Sequence, residues 1–361
     1  MHTNHRHLIG IPASCFGLTE PDMPECLGYS VESLSETDRA RIPAVNSAHR
    51  FSAQHASTLS LWWRRGSGEP LYISGPSGSG KTSTAMQFCA RLGVPVVSVT
   101  ARPRMDRREL IGHWSVVSGE TRWVDGPASL AWRHGWVLLI NEFSAAPAEM
   151  WVSANDILEG LPLDVEATGE VIPRHPGARV IVTDNTRGHA AEIEEGFYGR
   201  QIQDRSVIDR FWHLRMEPMP EAEEAQLLFD TIPADLVSEF EEKALRRLTA
   251  GLAKAAADSR AAAAKATLGF ASSAVPLSLR SLTRLRDLIL EAALAPFGAD
   301  ESVLLTLIRI AFTEALDKAP RETAEALLVT ALGDAVKSLR LSHGRRVVRK
   351  TESAKRVGEA A

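Results

Sequence analysis

The segment GPSGSGKT places Gly75, Pro76, Ser77, Gly78, Ser79, Gly80, Lys81 and Thr82 in the spacing G-x-x-x-x-G-K-[ST]. Every part of that spacing has a use toward a polyphosphate. Glycines let the chain turn tightly enough for successive backbone N–H groups to surround phosphate oxygens. Lys81 is expected to reach the β- and γ-phosphates, and the Thr82 hydroxyl to ligate Mg²⁺. A helix opening near Lys81 adds its positive end to the same anion.

A second group closes the run WVLLINEF (136–143), where four apolar residues lead into Asn141 and Glu142. Beside a phosphate loop, Glu142 is placed to polarise an attacking water. Asn141 stands where a carboxylate ordinarily holds Mg²⁺ by charge. Its neutral carbonyl oxygen keeps the shape of that ligand and gives up one compensating charge. The residues alone leave open a second reading, in which the pair merely caps the next helix. ARVIVTDNTRG ends another apolar run at Asn185, which could orient the water or contact the γ-phosphate. SVIDRFWHLRM puts Arg210 ahead of a terminal strand, from where a guanidinium could reach a neighbouring subunit's phosphate. Read singly, Asn185 and Arg210 are also compatible with ordinary surface or capping roles.

These residues need elements to hold them. LYISG, PVVSVTA, WVLLINEF, ARVIVTDNT and FWHLRM read as buried strands alternating with helical patterns, which predicts an α/β layered sheet over 51–218. KTSTAMQFCARLG reads as the helix leaving the phosphate loop, stopped at Gly93. Residues 1–50 are rich in Pro, Ser and acids, weakly periodic, and expected to pack on the core as an extension. From 219 to 336 the chain turns to Ala, Leu, Glu and Arg at helical spacing without a strand pattern, interrupted at Pro276 and Pro296. All eight tryptophans lie between Trp62 and Trp212. The segment 337–361 carries eight Lys/Arg against two Glu and reads as a solvated, disordered end or as an anion-docking tail.

The whole chain has 361 residues with 41 Lys+Arg against 45 Asp+Glu, a balance that gives no general case for nucleic acid or membrane as the main partner. Cys15, Cys26 and Cys89 are too few and scattered for a disulfide framework and point to a reducing cytoplasm. His5, His7, Cys15 and Cys26 fit no standard zinc spacing. The N-terminus lacks the apolar region of a signal peptide, and no run approaches the ~18 apolar residues of a membrane span.

Longer segments carry a resemblance. CFGLTEPDMPECLGYS, ARLGVPVVSVTARPRMDRRELIGHW, LLINEFSAAPAEMWVSANDILEG, VIPRHPGARVIVTDNTRG and GFYGRQIQDRSVIDRFW resemble the MoxR-like branch of AAA+ ATPases. Within that branch they are similar to the CobS-like proteins, named after a subunit of aerobic cobaltochelatase. The resemblance implies an αβα P-loop core with a parallel sheet, followed by an α-helical lid. It implies that 75–82 is the Walker A loop, Glu142 the catalytic acid of Walker B, Asn185 sensor 1 and Arg210 the arginine finger. In VPLSLRSLTRL it implies a lid arginine at Arg280 contacting the γ-phosphate, with Leu279 in place of the family's Pro. HWSVVSGETRWVDGP resembles the branch's helix-2 insert hairpin and PLDVEATGEVI its pre-sensor hairpin. It also implies ATP and Mg²⁺ as cofactors, a hexameric ring, and a von Willebrand A-domain partner of CobT type.

The expectation is thus a Mg-ATP-dependent ATPase that remodels a metal-chelating complex or another client protein. Two alternatives stay open on the sequence: an ATP-binding scaffold with very slow turnover, and a DNA-linked motor of restriction-system type.

Overall fold

The computed structural model describes residues 7–18, 25–65, 68–187, 200–267, 274–295 and 301–339. The chain divides into two compact units, 1–218 and 219–361. Most of the predicted basic tail, and the GFYG of the resemblance, lie outside the described residues.

The first unit is organised by five parallel strands: β3 (Leu71–Ser74), β4 (Val96–Thr100), β7 (Val137–Asn141), β10 (Arg179–Asp184) and β11 (Trp212–Arg215). Their order across the sheet is β11-β3-β10-β7-β4. Strands β3 and β7 are buried along both faces, which is why their sequences run apolar without alternation. One face packs on Trp132, Trp136, Phe143, Trp151 and Phe211, the other on Leu59, Trp62, Phe88 and Leu92. Helix α1 (Ala53–Arg65) precedes β3, and α2 (Lys81–Arg91) follows it. The order is not sequential: β4 runs to the far edge, and β10 inserts beside β3. The phosphate loop therefore leaves the sheet where the strand order reverses, and ligands of open α/β sheets collect at such a point.

Residues 7–18 and 25–50 hold secondary structure that their weak periodicity did not predict. Strands β1 (Leu8–Ile11) and β2 (Cys26–Tyr29) form an antiparallel hairpin. Tyr29 N–H donates to the Leu92 carbonyl at 2.8 Å, and Val96 N–H to Arg41 at 3.0 Å, tying the extension to edge strand β4. Trp136, just ahead of β7, donates its Nε1–H to buried Asp38 at 2.6 Å. Four-residue strands containing a glycine carry too little pattern to be read from sequence.

Two further hairpins lie outside the five-stranded sheet. Strands β5 (Gly112–Val117) and β6 (Glu120–Asp125) turn through Ser118 and Gly119, both at positive φ (55° and 83°), as a two-residue hairpin turn requires. Strands β8 (Leu163–Val165) and β9 (Glu170–Ile172) form the other.

Every strand of the described residues belongs to the first unit. The second is helical: α3 (Glu221–Asp230), α4 (Glu242–Thr267), α5 (Leu279–Leu294), α6 (Glu301–Ala311) and α7 (Lys318–Lys337). They enclose Leu245, Leu248, Leu252, Leu282, Ile289, Ile308, Leu328 and Leu332. Arg286 is buried within this core, where Thr231 Oγ1 accepts its guanidinium at 2.7 Å. Among the described residues no helix is long and apolar enough to cross a membrane, and no His/Cys/Asp/Glu cluster could hold a metal ion.

Candidate nucleotide site

The loop 75–80 joins β3 to α2. Gly75 has φ 153°, and a Cβ there would lie 2.3 Å from the Met216 carbonyl oxygen, so only glycine lets the chain leave β3 this close to β11. Gly80 caps α2 from the left-handed region at φ 87°. Lys81 opens the helix almost fully buried, and its ammonium donates to the Gly75 and Pro76 carbonyls at 2.8 Å each. Burial pulls that ammonium down to about 8; Asp184 opposes the shift and Arg200 adds to it. Ser79 Oγ is buried in the loop without a hydrogen-bond partner among the described residues, an orphaned polar atom of the kind a phosphate oxygen would satisfy.

Thr82 reaches the end of β7. Its hydroxyl donates to Asn141 Oδ1 at 2.8 Å, and Thr183 Oγ1 donates to the same oxygen at 3.0 Å. Asn141 Nδ2–H in turn donates to Ser98 Oγ on β4 at 2.9 Å. The amide is thus fixed with its oxygen toward Thr82, and three adjacent strands hold it there. Two hard oxygens, the Thr82 hydroxyl and Asn141 Oδ1, converge at the mouth of the loop, a donor set suited to Mg²⁺.

Glu142 occupies the left-handed region at φ 59°, ψ 44°, rare for a residue with a side chain. It precedes the short turn Phe143–Ala145 but makes no side-chain cap there, so the capping alternative does not describe it. Its carboxylate pairs instead with Arg200. That guanidinium also lies 3.8 Å from Asp184.

Asp184 ends β10 and is 1% exposed. It accepts from the backbone N–H groups of Ser144, Asn185 (2.6 Å) and Thr186 (3.3 Å) and from the Tyr72 hydroxyl (3.3 Å). Burial pushes its carboxyl up, and the hydrogen bonds from Ser144 pull it back. Asn185 follows immediately, half-buried, at the same sheet end as Asn141. The site therefore sets two cations, Lys81 and Arg200, against two carboxylates, Glu142 and Asp184.

The structure brings the 75–82 loop, Asn141, Glu142 and Asn185 to one end of the sheet. Arg210 is held elsewhere, with Nε on Glu159 at 2.9 Å and Nη1 on the Ser206 carbonyl. Arg280 lies exposed on the first turn of α5 in the second unit, beyond the Ser278 cap. Sequence reasoning missed Ser98, Asp184 and Arg200. A carboxylate closing a buried strand was a usable signal for Asp184; nothing in the string marks the other two.

A five-stranded parallel sheet with a phosphate loop at its reversal point and polar residues ending β7 and β10 defines a P-loop nucleotide-binding core of AAA+ type. Residues 70–201 match the family model of the AAA domain (dynein-related subfamily). The chain is 33% identical over 119 residues to Protein NorQ of Paracoccus denitrificans (strain Pd 1222), covering 32% of this chain and 43% of that protein. It is 28% identical over 139 residues to Protein CbbQ of Hydrogenophilus thermoluteolus, covering 38% and 48%. It is 27% identical over 169 residues to Denitrification regulatory protein NirQ of Stutzerimonas stutzeri, covering 46% and 58%. The matches span about half the length of these relatives. Residues 70–201 are thus similar to AAA domains, and part of the chain is similar to part of NorQ, CbbQ and NirQ.

Proposed function

We propose that this chain binds Mg-ATP at 75–82 and hydrolyses it with Glu142 as general base. The contact between Thr82 Oγ1 and Asn141 Oδ1 carries the reading, because it brings the phosphate loop to the strand end that presents Glu142. Backbone N–H groups of 75–80 and the Lys81 ammonium would hold the phosphates, exchanging the two loop carbonyls for phosphate oxygens. Thr82 and Asn141 would hold Mg²⁺, which when bound neutralises charge on the phosphates. Glu142 takes the proton of the attacking water, and Asn185 orients that water. Arg210, in the chain position ahead of the terminal strand, is supplied to a neighbouring subunit's site. A head-to-tail arrangement of that kind closes into a ring, taken as hexameric.

Arg280 is the lid contact to the γ-phosphate in this reading, and nucleotide turnover drives the β5–β6 and β8–β9 hairpins against a client. The segments similar to CobS-like proteins support a von Willebrand A-domain partner of CobT type and a chelatase or other protein complex as the client. The experiment is steady-state Mg-ATP turnover of the wild type beside Glu142→Gln. Turnover lost in the variant with ATP still bound supports the reading; equal turnover in both removes Glu142 from it.

Asn141 favours a second reading, an ATP-gated scaffold with very slow turnover, since the cation lacks one compensating charge. The same assay decides: ATP binding with no Glu142-dependent turnover would select the scaffold.

A further inference from the structure

We propose that Asp184 is a positioning residue that fixes Glu142 and Asn185 relative to each other through the main chain beside each of them. The inference rests on the reading of Glu142 as the base and of Asn185 as the group that orients the water. It begins from the sheet. Thr183 pairs in register with Asn141, so β10 and β7 leave the sheet side by side as Asp184 and Glu142. Glu142 then turns through the left-handed region at φ 59°. A residue with a side chain keeps that conformation only where its surroundings hold it.

The peptide that follows this turn is pinned at both ends. The Phe143 carbonyl accepts from Trp151 Nε1–H at 3.0 Å, and the Ser144 N–H donates to Asp184 Oδ2. The first N–H groups of a helical turn have no acceptor inside it, and Ser144 is fully buried, so this donor depends on Asp184. The Tyr72 hydroxyl donates to the same oxygen at 3.3 Å. The other oxygen, Oδ1, accepts from the N–H groups of Asn185 at 2.6 Å and Thr186 at 3.3 Å, which sets the chain that carries the Asn185 amide. An ionised carboxylate accepts at about four positions and donates at none, so it can serve all of these donors at once. A neutral amide cannot, because one of its two ends is itself a donor. Being 1% exposed, Asp184 acts through the two neighbouring groups rather than on the nucleotide.

The test compares full-length wild type with Asp184→Asn, Asp184→Ser and Glu142→Gln. It reads kcat for Mg-ATP, affinity for a fluorescent ATP analogue, and amide hydrogen exchange by mass spectrometry. In Asp184→Asn an NH2 group must face the N–H of either Ser144 or Asn185, so exchange should rise over 142–146 or 185–187 while the sheet strands keep wild-type protection. The rate constant kcat should fall about ten- to a hundredfold, the scale on which a misplaced reacting group is felt. Analogue affinity should stay within about threefold of wild type or rise, because the variant also removes a negative charge that acts on Lys81. A general loss of stability would instead raise exchange across the whole first unit and weaken binding with it. Lower kcat with exchange unchanged over both stretches would assign the effect to charge and overturn the positioning role. Wild-type kcat in folded Asp184→Asn overturns it while leaving Glu142 as base. If Asp184→Asn does not fold, Asp184→Ser decides: its single hydroxyl cannot serve both turns, and wild-type kcat there overturns the proposal. Equal turnover of wild type and Glu142→Gln removes the base reading, and the proposal falls with it.

Discussion

Thr82 and Asn141 come from the two ends of the nucleotide motif, 59 residues apart in the chain, and meet at 2.8 Å, hydroxyl to amide oxygen. Ser98 completes the relationship by accepting the Asn141 amide N–H, which prevents the amide from turning over. Asn141→Asp would keep the Oδ1 position and put a second oxygen where Nδ2 stands, with Ser98 changing from acceptor to donor. One added charge near the cation should lower the Mg²⁺ concentration for half-maximal turnover about tenfold. Magnesium titrations of ATP turnover check it. An unchanged midpoint would mean that Asn141 does not face the ion.

Lys81→Ala removes the ammonium that now bridges Gly75 and Pro76. Losing a charge-assisted contact to phosphate should weaken ATP binding by about ten- to a hundredfold. Equilibrium binding of a fluorescent ATP analogue measures this, and wild-type affinity would contradict the phosphate assignment.

Arg210→Ala should retain ATP binding and lower turnover on the order of 10³-fold if the guanidinium acts on a neighbour's phosphate. Mixing this variant with Glu142→Gln subunits should restore part of the activity, because some interfaces then combine an intact base with an intact arginine. Mixtures no more active than their components would argue against a shared site. The Glu159 pair at 2.9 Å is partly exposed, so its loss should cost less than about 1 kcal/mol of stability.

The His49 imidazole is held down to about 4, first by burial and then by Arg91 nearby. Its Nε2 is buried without a partner among the described residues. The folded state thus binds a proton less readily than the unfolded chain, whose imidazole titrates near 6.5. Stability from this group is fully present above pH 6.5 and is lost as pH falls toward 4. Allowing for partial solvent screening, the loss should be about 1–2 kcal/mol. Thermal melts at pH 7 and pH 4.5 should show a smaller difference for His49→Gln than for the wild type; equal differences would remove His49 as the cause.

What could be read from the string divides along physical lines. The inner strands β3, β7 and β10 were legible because residues buried on both faces run largely apolar, as Val137–Ile140 shows. The phosphate loop was legible because its glycines answer a local backbone demand, and Gly75 against Met216 is that demand in three dimensions. The antiparallel β1–β2 pair was not, since its strands are four residues long and are specified by what they cover. Within the site, Asn141 and Glu142 stood out by sitting at a strand end. Arg200 and Ser98 did not, because each matters only through a neighbour distant in sequence: 58 residues for Arg200 and Glu142, 43 for Ser98 and Asn141. Asp184 was passed over for the adjacent Asn185, although it is the more deeply buried of the two.

The distribution of tryptophan has a practical consequence. All eight indoles belong to residues 62–212, and Trp62, Trp132, Trp136 and Trp151 are sealed in its interior. The helical unit has none. Intrinsic emission is therefore a private optical signal of the first unit, while far-UV ellipticity sums the helices of both units, so ellipticity lost at unchanged emission reports on the helical unit. A variant's damage can be assigned to one half of the chain or the other without attaching a dye.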